Sequence, residues 1–170
     1  MAIIRDAEPR DLAAILALNL ESERFLSPLD AGGLRRLDAA ARYHRVVDRR
    51  GTVAAFLLAL REGADYDSPN YCWFAARYHA FLYVDRIVVA AADQGRGLGR
   101  QLYDDLFAFA ARSSVPIVTC EVDLEPPNEP SRRFHERFGF RQVGDLWLPA
   151  AGKRVALLLA PVGALPPATP

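Results

Sequence analysis

The chain is poor in several features that would mark a specialised protein. It holds one lysine (Lys153), one methionine and two cysteines in 170 residues. Cys72 and Cys120 lie far apart, with no CxxC spacing and no Cys/His cluster beside either. Neither a disulfide framework nor a metal site is therefore indicated, and a reducing cytoplasm is the expected compartment. Net charge is lacking too: 21 basic and 21 acidic residues give a formal charge of zero, so no global field selects nucleic acid or an anionic membrane as partner. The opening MAIIRDAEPRDL turns charged at once, which excludes the apolar core of a signal peptide. No run nears the roughly 18 apolar residues needed to cross a bilayer. What is present is 51% hydrophobic residues in a length that suits one core. One domain over residues 1–160 is expected, with 161–170, PVGALPPATP, as a flexible tail.

Periodicity supplies the elements. Residues 2–5 read as a strand, and Pro9 opens a helix in which Leu12, Ile15, Leu16 and Leu18 recur at near-helical spacing. A second helix is expected over 34–43. Strands 43–48 and 52–60 flank Arg50-Gly51, a hairpin turn. EGADYDSPNY, 62–71, reads as a loop. The β-branched and aromatic run 81–89 is a strand interrupted by Asp85 and Arg86. From Leu98 the apolar positions Leu102, Leu106 and Phe109 or Ala110 form a helical ladder ending near Ser113. A strand at 117–123 follows Pro116. Asn128-Glu129-Pro130 then starts a helix that Gly139 ends, with Asn128 as its cap. Strands at 140–148 and 154–160 complete an α/β or α+β domain with a mixed sheet.

Between the strand at 81–89 and the helix from Leu98 lies DQGRGLGRQL, residues 93–102. A glycine-rich turn entering a helix presents backbone N–H groups at the positive end of the helix dipole, as a phosphate or diphosphate requires. Glycine lets the backbone approach the anion, and Arg96 and Arg100 add positive charge. An isolated turn of this kind can also serve chain geometry alone. A nucleotide-triphosphatase loop is excluded because GxxxxGK[ST] needs a lysine here, and a dinucleotide fingerprint is excluded by glycine spacing and by the strands already laid down upstream.

The pattern Gln94-x-x-Gly97-x-Gly99 after Ile87-Val88-Val89 resembles the [Q/R]xxGx[G/A] signature of the GNAT superfamily of N-acetyltransferases. Downstream, Asn128-x-x-Ser131-x-x-Phe134-His135-Glu136-Arg137-Phe138-Gly139-Phe140 is similar to that family's NxxAxxxYxxxGF pattern. Together the two span residues 81–140. The resemblance implies a mixed, mostly antiparallel sheet of about seven strands flanked by about four helices, with acetyl-CoA as co-substrate. It implies that Gln94, Gly95, Arg96, Gly97, Leu98, Gly99 and Arg100 hold the diphosphate. Backbone of Ile87, Val88 and Val89 would pair with the pantetheine chain, the Val89 N–H facing the thioester oxygen, and Asn128 would offer an amide to the cofactor arm. Ala91 replaces a common proline, the 123–127 loop looks longer than usual, and His135 stands where many members have a tyrosine thought to protonate the thiolate. Phosphinothricin-type members are similar in having histidine there.

Acetyl transfer to an amine needs a base for the amine, a donor for the developing oxyanion and a proton for sulfur. Asp85 is the first candidate base and Glu121 the second, with His135 the candidate proton donor. Strand alternation puts Glu121 and Asp123 on one face and Cys120 and Val122 on the other. A covalent route through Cys120 has no adjacent His/Asp constellation. The carboxylates and aromatics of 65–74 suit an ammonium-bearing small molecule as acceptor. A lysine or N-terminal protein acetyltransferase and a non-catalytic acyl-CoA sensor stay open as alternatives. The resemblance also permits a homodimer.

Overall fold

The computed structural model describes residues 2–163. Seven strands form a mixed, mostly antiparallel sheet, and five α-helices accompany it, an α/β architecture of the expected kind. The strands are β1 Ala2–Asp6, β2 Tyr43–Arg49, β3 Thr52–Arg61, β4 Leu82–Val89, β5 Ile117–Glu125, β6 Arg141–Leu148 and β7 Lys153–Pro161, ordered β1-β2-β3-β4-β5-β7-β6. The helices are α1 Leu12–Glu21, α2 Ala31–Ala40, α3 Pro69–Ala75, α4 Leu98–Arg112 and α5 Glu129–Glu136. Pro161 closes β7 instead of opening the expected tail, and residues 164–170 of that tail lie outside the described residues. None of the described helices is long and apolar enough to cross a membrane.

The chain divides into two compact units, Met1–Ala64 with Val84–Ala108, and Asp65–Tyr83 with Phe109–Pro170. In the first, β1 pairs antiparallel with β2, and β2 with β3. The β2–β3 turn places Arg50 at φ 56° and Gly51 at φ 84°, the primed geometry whose twist matches that of flanking strands. The apolar run of β3 is buried at every position from Val53 to Leu60, as a strand covered on both faces should be. Ile15 and Leu18 of α1 are buried, and α1 packs on α2 and β3.

A charge cluster fixes how the chain leaves β1. Arg5 donates to both carboxylate oxygens of Asp11, at 2.7 and 2.9 Å, and reaches Asp48 of β2 at 3.0 Å. Asp11 also accepts from the Glu8 backbone N–H at 2.8 Å. The bond from Arg5 holds the Asp11 carboxyl below its ordinary range, against the opposing effect of burial.

In the second unit β4 runs parallel to β5 over Leu82↔Val118 and Tyr83↔Thr119, while β7 pairs antiparallel with both β5 and β6. The stretch expected to be loop at 62–71 ends in α3 instead. Pro69 is pre-set for a first helical turn, and Tyr71 and Phe74 bury one side of the helix. β6 carries a bulge between Gln142 and Gly144, and Gly144 lies against Trp73 of α3. A Cβ on Gly144 would lie 2.6 Å from Trp73 Cζ2, so glycine is what permits the approach. A second bulge, between Asp123 and Glu125, inserts an unpaired residue at the end of β5, in the loop expected to be long.

Because the folded-state pKa of Asp11 is depressed, its contribution is complete above the unfolded value and is lost as pH falls through the lower folded one. Asp11→Asn is expected to cost roughly 2 kcal/mol near neutral pH, leaving part-buried Arg5 without its bidentate partner. Thermal melts should show a Tm drop of about 4–8 °C. The gap between the two proteins should shrink on acidification below about pH 4. A constant gap at all pH values would exclude the charge pair as its source.

Candidate active site

The glycine turn belongs to the first unit. Gly95 and Gly97 have φ of 75° and 77°, and a Cβ built on either would meet nothing within 4 Å. Glycine is required there by backbone conformation and not by crowding. Left-handed residues alternating with ordinary ones turn successive N–H groups into a concavity for anions. Helix α4 starts at once: Gln101 N–H donates to the Gly97 carbonyl at 3.0 Å, so the N–H groups of Leu98, Gly99 and Arg100 fall in a first turn that offers no intrahelical acceptor. Leu98 is buried and anchors the turn, whereas Gln94, Arg96 and Arg100 are exposed.

The approach to the turn is fixed as well. Ala90 N–H, just past β4, donates to Ala54 of β3 at 2.8 Å. Asp93 pairs with Arg49 of β2 and, at 3.5 Å, with Arg96. Ile87 and Val89 are half-buried and Val88 buried, so the strand edge preceding the turn is apolar.

Asp85 sits in β4 with its side chain 4% exposed, and its Oδ2 accepts from Arg86 Nε at 2.7 Å. The two charges that interrupt the apolar run are thus partners. Arg86 also donates to Asn19 of α1 at 2.6 Å and to Ser27 in the α1–α2 connection. Arg86 was visible in the sequence as an unexplained charge in a buried strand. Its further partners Asn19 and Ser27 were not, since they lie far upstream.

In the second unit, Glu121 of β5 is half-buried, and its Oε2 accepts from the Tyr83 hydroxyl at 2.7 Å. Tyr83 is fully buried and meets Tyr71 edge-on at 5.6 Å; Tyr71 in turn meets Tyr66, also at 5.6 Å. The carboxylate is therefore tied into an aromatic cluster that Tyr83, hidden in an apolar strand, did not advertise. Asp123 shares the half-buried face of Glu121 and pairs with Lys153 at 2.8 Å, while Cys120 and Val122 are buried on the other.

Asn128 caps α5, its side-chain oxygen accepting from the Ser131 N–H at 3.3 Å. His135, one turn beyond Ser131, is 4% exposed, and its Nδ1 lies 2.7 Å from the Ser131 carbonyl. A carbonyl only accepts, so Nδ1 carries the proton. Burial pushes the imidazole pKa below its usual 6.5, partly opposed by that bond, so the ring is neutral at physiological pH. Arg132 and Arg133 pair along the helix with Glu129 and, for Arg132, Glu136.

A folded-state pKa below the unfolded value gives His135 a stabilising contribution that is complete above about pH 6.5 and declines as acid protonates the unfolded chain. Between about pH 7 and about pH 5 the native protein should therefore lose Tm more steeply than His135→Gln, which has no titrating ring. Equal slopes in paired melts would show that His135 is not held neutral by burial.

Comparison with known proteins gives this arrangement a family. Residues 12–140 match the model of the acetyltransferase (GNAT) family. A phosphinothricin N-acetyltransferase from Streptomyces coelicolor is 44% identical over 58 residues, a match that covers 34% of this chain and only about a third (33%) of that relative's length. Among solved structures, the ribosomal-protein-S18-alanine N-acetyltransferase of Escherichia coli superposes with a TM-score of 0.72 at 17% identity, covering 100% of this chain and 99% of that one. Arabidopsis thaliana NAA60 in complex with acetyl-CoA gives 0.73 at 15% identity, covering 95% and 100%. These two establish likeness of fold, and the family match, which spans most of the chain, establishes kinship: the protein belongs to the acetyltransferase (GNAT) family.

Proposed function

We propose that this GNAT acetyltransferase, which draws its acetyl group from acetyl-CoA, delivers it to the primary amine of a small molecule by direct attack. The observation that carries the reading is the glycine turn ahead of α4. Its two positive-φ glycines leave open space where side chains would stand, so the backbone is accessible to a diphosphate, and the donor set is suited to one. The residues present therefore fit the co-substrate.

Acetyl-CoA supplies the acetyl group as a thioester. The amides of residues 94–100 bind the diphosphate, with Arg96 and Arg100 as exposed cations beside them, and Asn128 contributes a side-chain amide to the cofactor arm. Backbone of Ile87 to Val89 orients the pantetheine chain. The Val89 N–H stabilises negative charge on the carbonyl oxygen, a contribution of about 3 kcal/mol for one fixed donor in a water-poor site. Asp85 takes the amine proton, directly or through water, with Glu121 as the second carboxylate suited to that task. His135 moves a proton toward the leaving sulfur. With Nδ1–H committed to Ser131, Nε2 first takes up a proton from water, and a ring whose pKa is lowered by burial passes it readily to the thiolate. The amine proton taken by Asp85 returns to water, so the proton count closes.

Support for a small acceptor comes from two sides. The curated relative with 44% identity over its matched stretch is named for a small-molecule acceptor. Within the second unit, Glu121 stands against the Tyr83 hydroxyl in a cluster with Tyr71 and Tyr66, a carboxylate set among aromatic faces that suits an ammonium group.

Thiol release from acetyl-CoA, followed across a panel of small amines and a panel of peptides, tests the reading. Small-amine-dependent release is expected. Release with peptides only would make the chain a protein acetyltransferase, and no acceptor-dependent release would make it a binding module. Gly97→Ala should raise the acetyl-CoA Kd about tenfold, since a side chain at positive φ strains the turn and displaces its amides. Calorimetry returning an unchanged Kd would dissociate the turn from binding.

A further inference from the structure

Arg86 is a buried charged residue that the reaction scheme leaves unused, and it lies beside the proposed base. Its side chain is 3% exposed, yet every guanidinium nitrogen is engaged. Nε donates to Asp85 Oδ2 at 2.7 Å, Nη1 to Asn19 Oδ1 at 2.6 Å and to the Ser27 carbonyl at 3.3 Å, and Nη2 to Ser27 Oγ at 3.1 Å. Asn19 is itself fully buried in α1 and sends its amide to the same Ser27 carbonyl at 3.4 Å. Ser27 lies in the connection between α1 and α2, which is exposed over most of its length. Successive residues of a strand project to opposite faces, so Arg86 meets Asp85 only by bending its long side chain back alongside β4.

A planar fork of donors is suited to hold several oxygens in one fixed relation, which a lysine ammonium cannot do. A surface tether would not require a fully buried cation, whose desolvation must be offset by this whole set of partners. The geometry points to Arg86 as a positioning residue: it fixes the orientation of the Asp85 carboxylate and locks the α1–α2 connection, through Ser27, to the strand that carries it. This rests on the reading of Asp85 as the group that takes the amine proton. A carboxylate free to rotate would spend most of its time misaligned, and misplacement by about 1 Å can lower turnover by about a hundredfold.

The test is steady-state kinetics of the full chain, with rates expressed per folded molecule, alongside calorimetric binding of acetyl-CoA. Arg86→Ala is expected to lower kcat by about ten- to a hundredfold, with the acetyl-CoA Kd unchanged within about twofold and part of kcat restored by millimolar guanidinium. Arg86→Lys should fall between the two, because it keeps the charge without the fork. A lowered Tm with normal turnover per folded molecule would make Arg86 a structural tie and overturn the proposal. If Arg86→Ala does not fold, Ser27→Ala, at an exposed position, carries the test: it should lower kcat severalfold without loss of Tm, and an unchanged kcat would overturn the proposal. Asp85→Asn separates the two ideas. Undiminished turnover there would remove Asp85 from the reaction, and Arg86's role with it. A dead Asp85→Asn beside a fully active Arg86→Ala would remove only the role of Arg86.

Discussion

Two glycines held at positive φ, one on each side of Arg96, are the constraint on which the functional reading depends. Alternating left-handed residues of this kind turn successive backbone amides toward a common side, and the fold holds the turn from both ends. Downstream, Leu98, Leu102, Tyr103 and Leu106 bury one face of α4 and so fix where the helix begins. Upstream, the Ala90 bond to β3 and the Asp93–Arg49 pair fix where the strand ends. A turn held from both sides would lose little conformational freedom on binding the proposed diphosphate, so more of that interaction would appear as affinity.

The ionisable groups proposed for the chemistry are managed in three different ways. Asp85 is buried and its charge is met by Arg86, whose other nitrogens reach Asn19 and Ser27. Glu121 is only half-buried and takes a hydroxyl from Tyr83, set in an aromatic cluster. His135 is buried too, but burial keeps it neutral, and its one committed proton goes to a backbone carbonyl one turn back. Each device follows from what surrounds the group: a cation in the first case, a phenol in the second and little water in the third.

Much of this was legible in the sequence because it is local. The Arg50-Gly51 turn, the amphipathic ladder of α4, the Asn128 cap and the positive-φ glycines are each encoded within a few residues of where they act. Helix α3 was not recognised because Pro69 reads as a loop residue until Tyr71 and Phe74 are seen to bury one side behind it. The burial of His135 was hidden by the arginines and glutamates around it, which occupy the exposed face of the same short helix. Asn19 and Ser27, which hold Arg86 beside Asp85, and Tyr83, which holds Glu121, come from distant positions, and no pattern within β4 or β5 names them. Long-range polar contacts are the part of a site that a single chain read along its length does not display.

Backbone amide hydrogen exchange, followed with and without acetyl-CoA, tests the central claim most directly. The account predicts new protection concentrated at residues 94–100, including the first-turn amides of α4 that have no intrahelical acceptor. Saturating ligand that leaves those amides exchanging as before, while protecting another part of the chain, would contradict it.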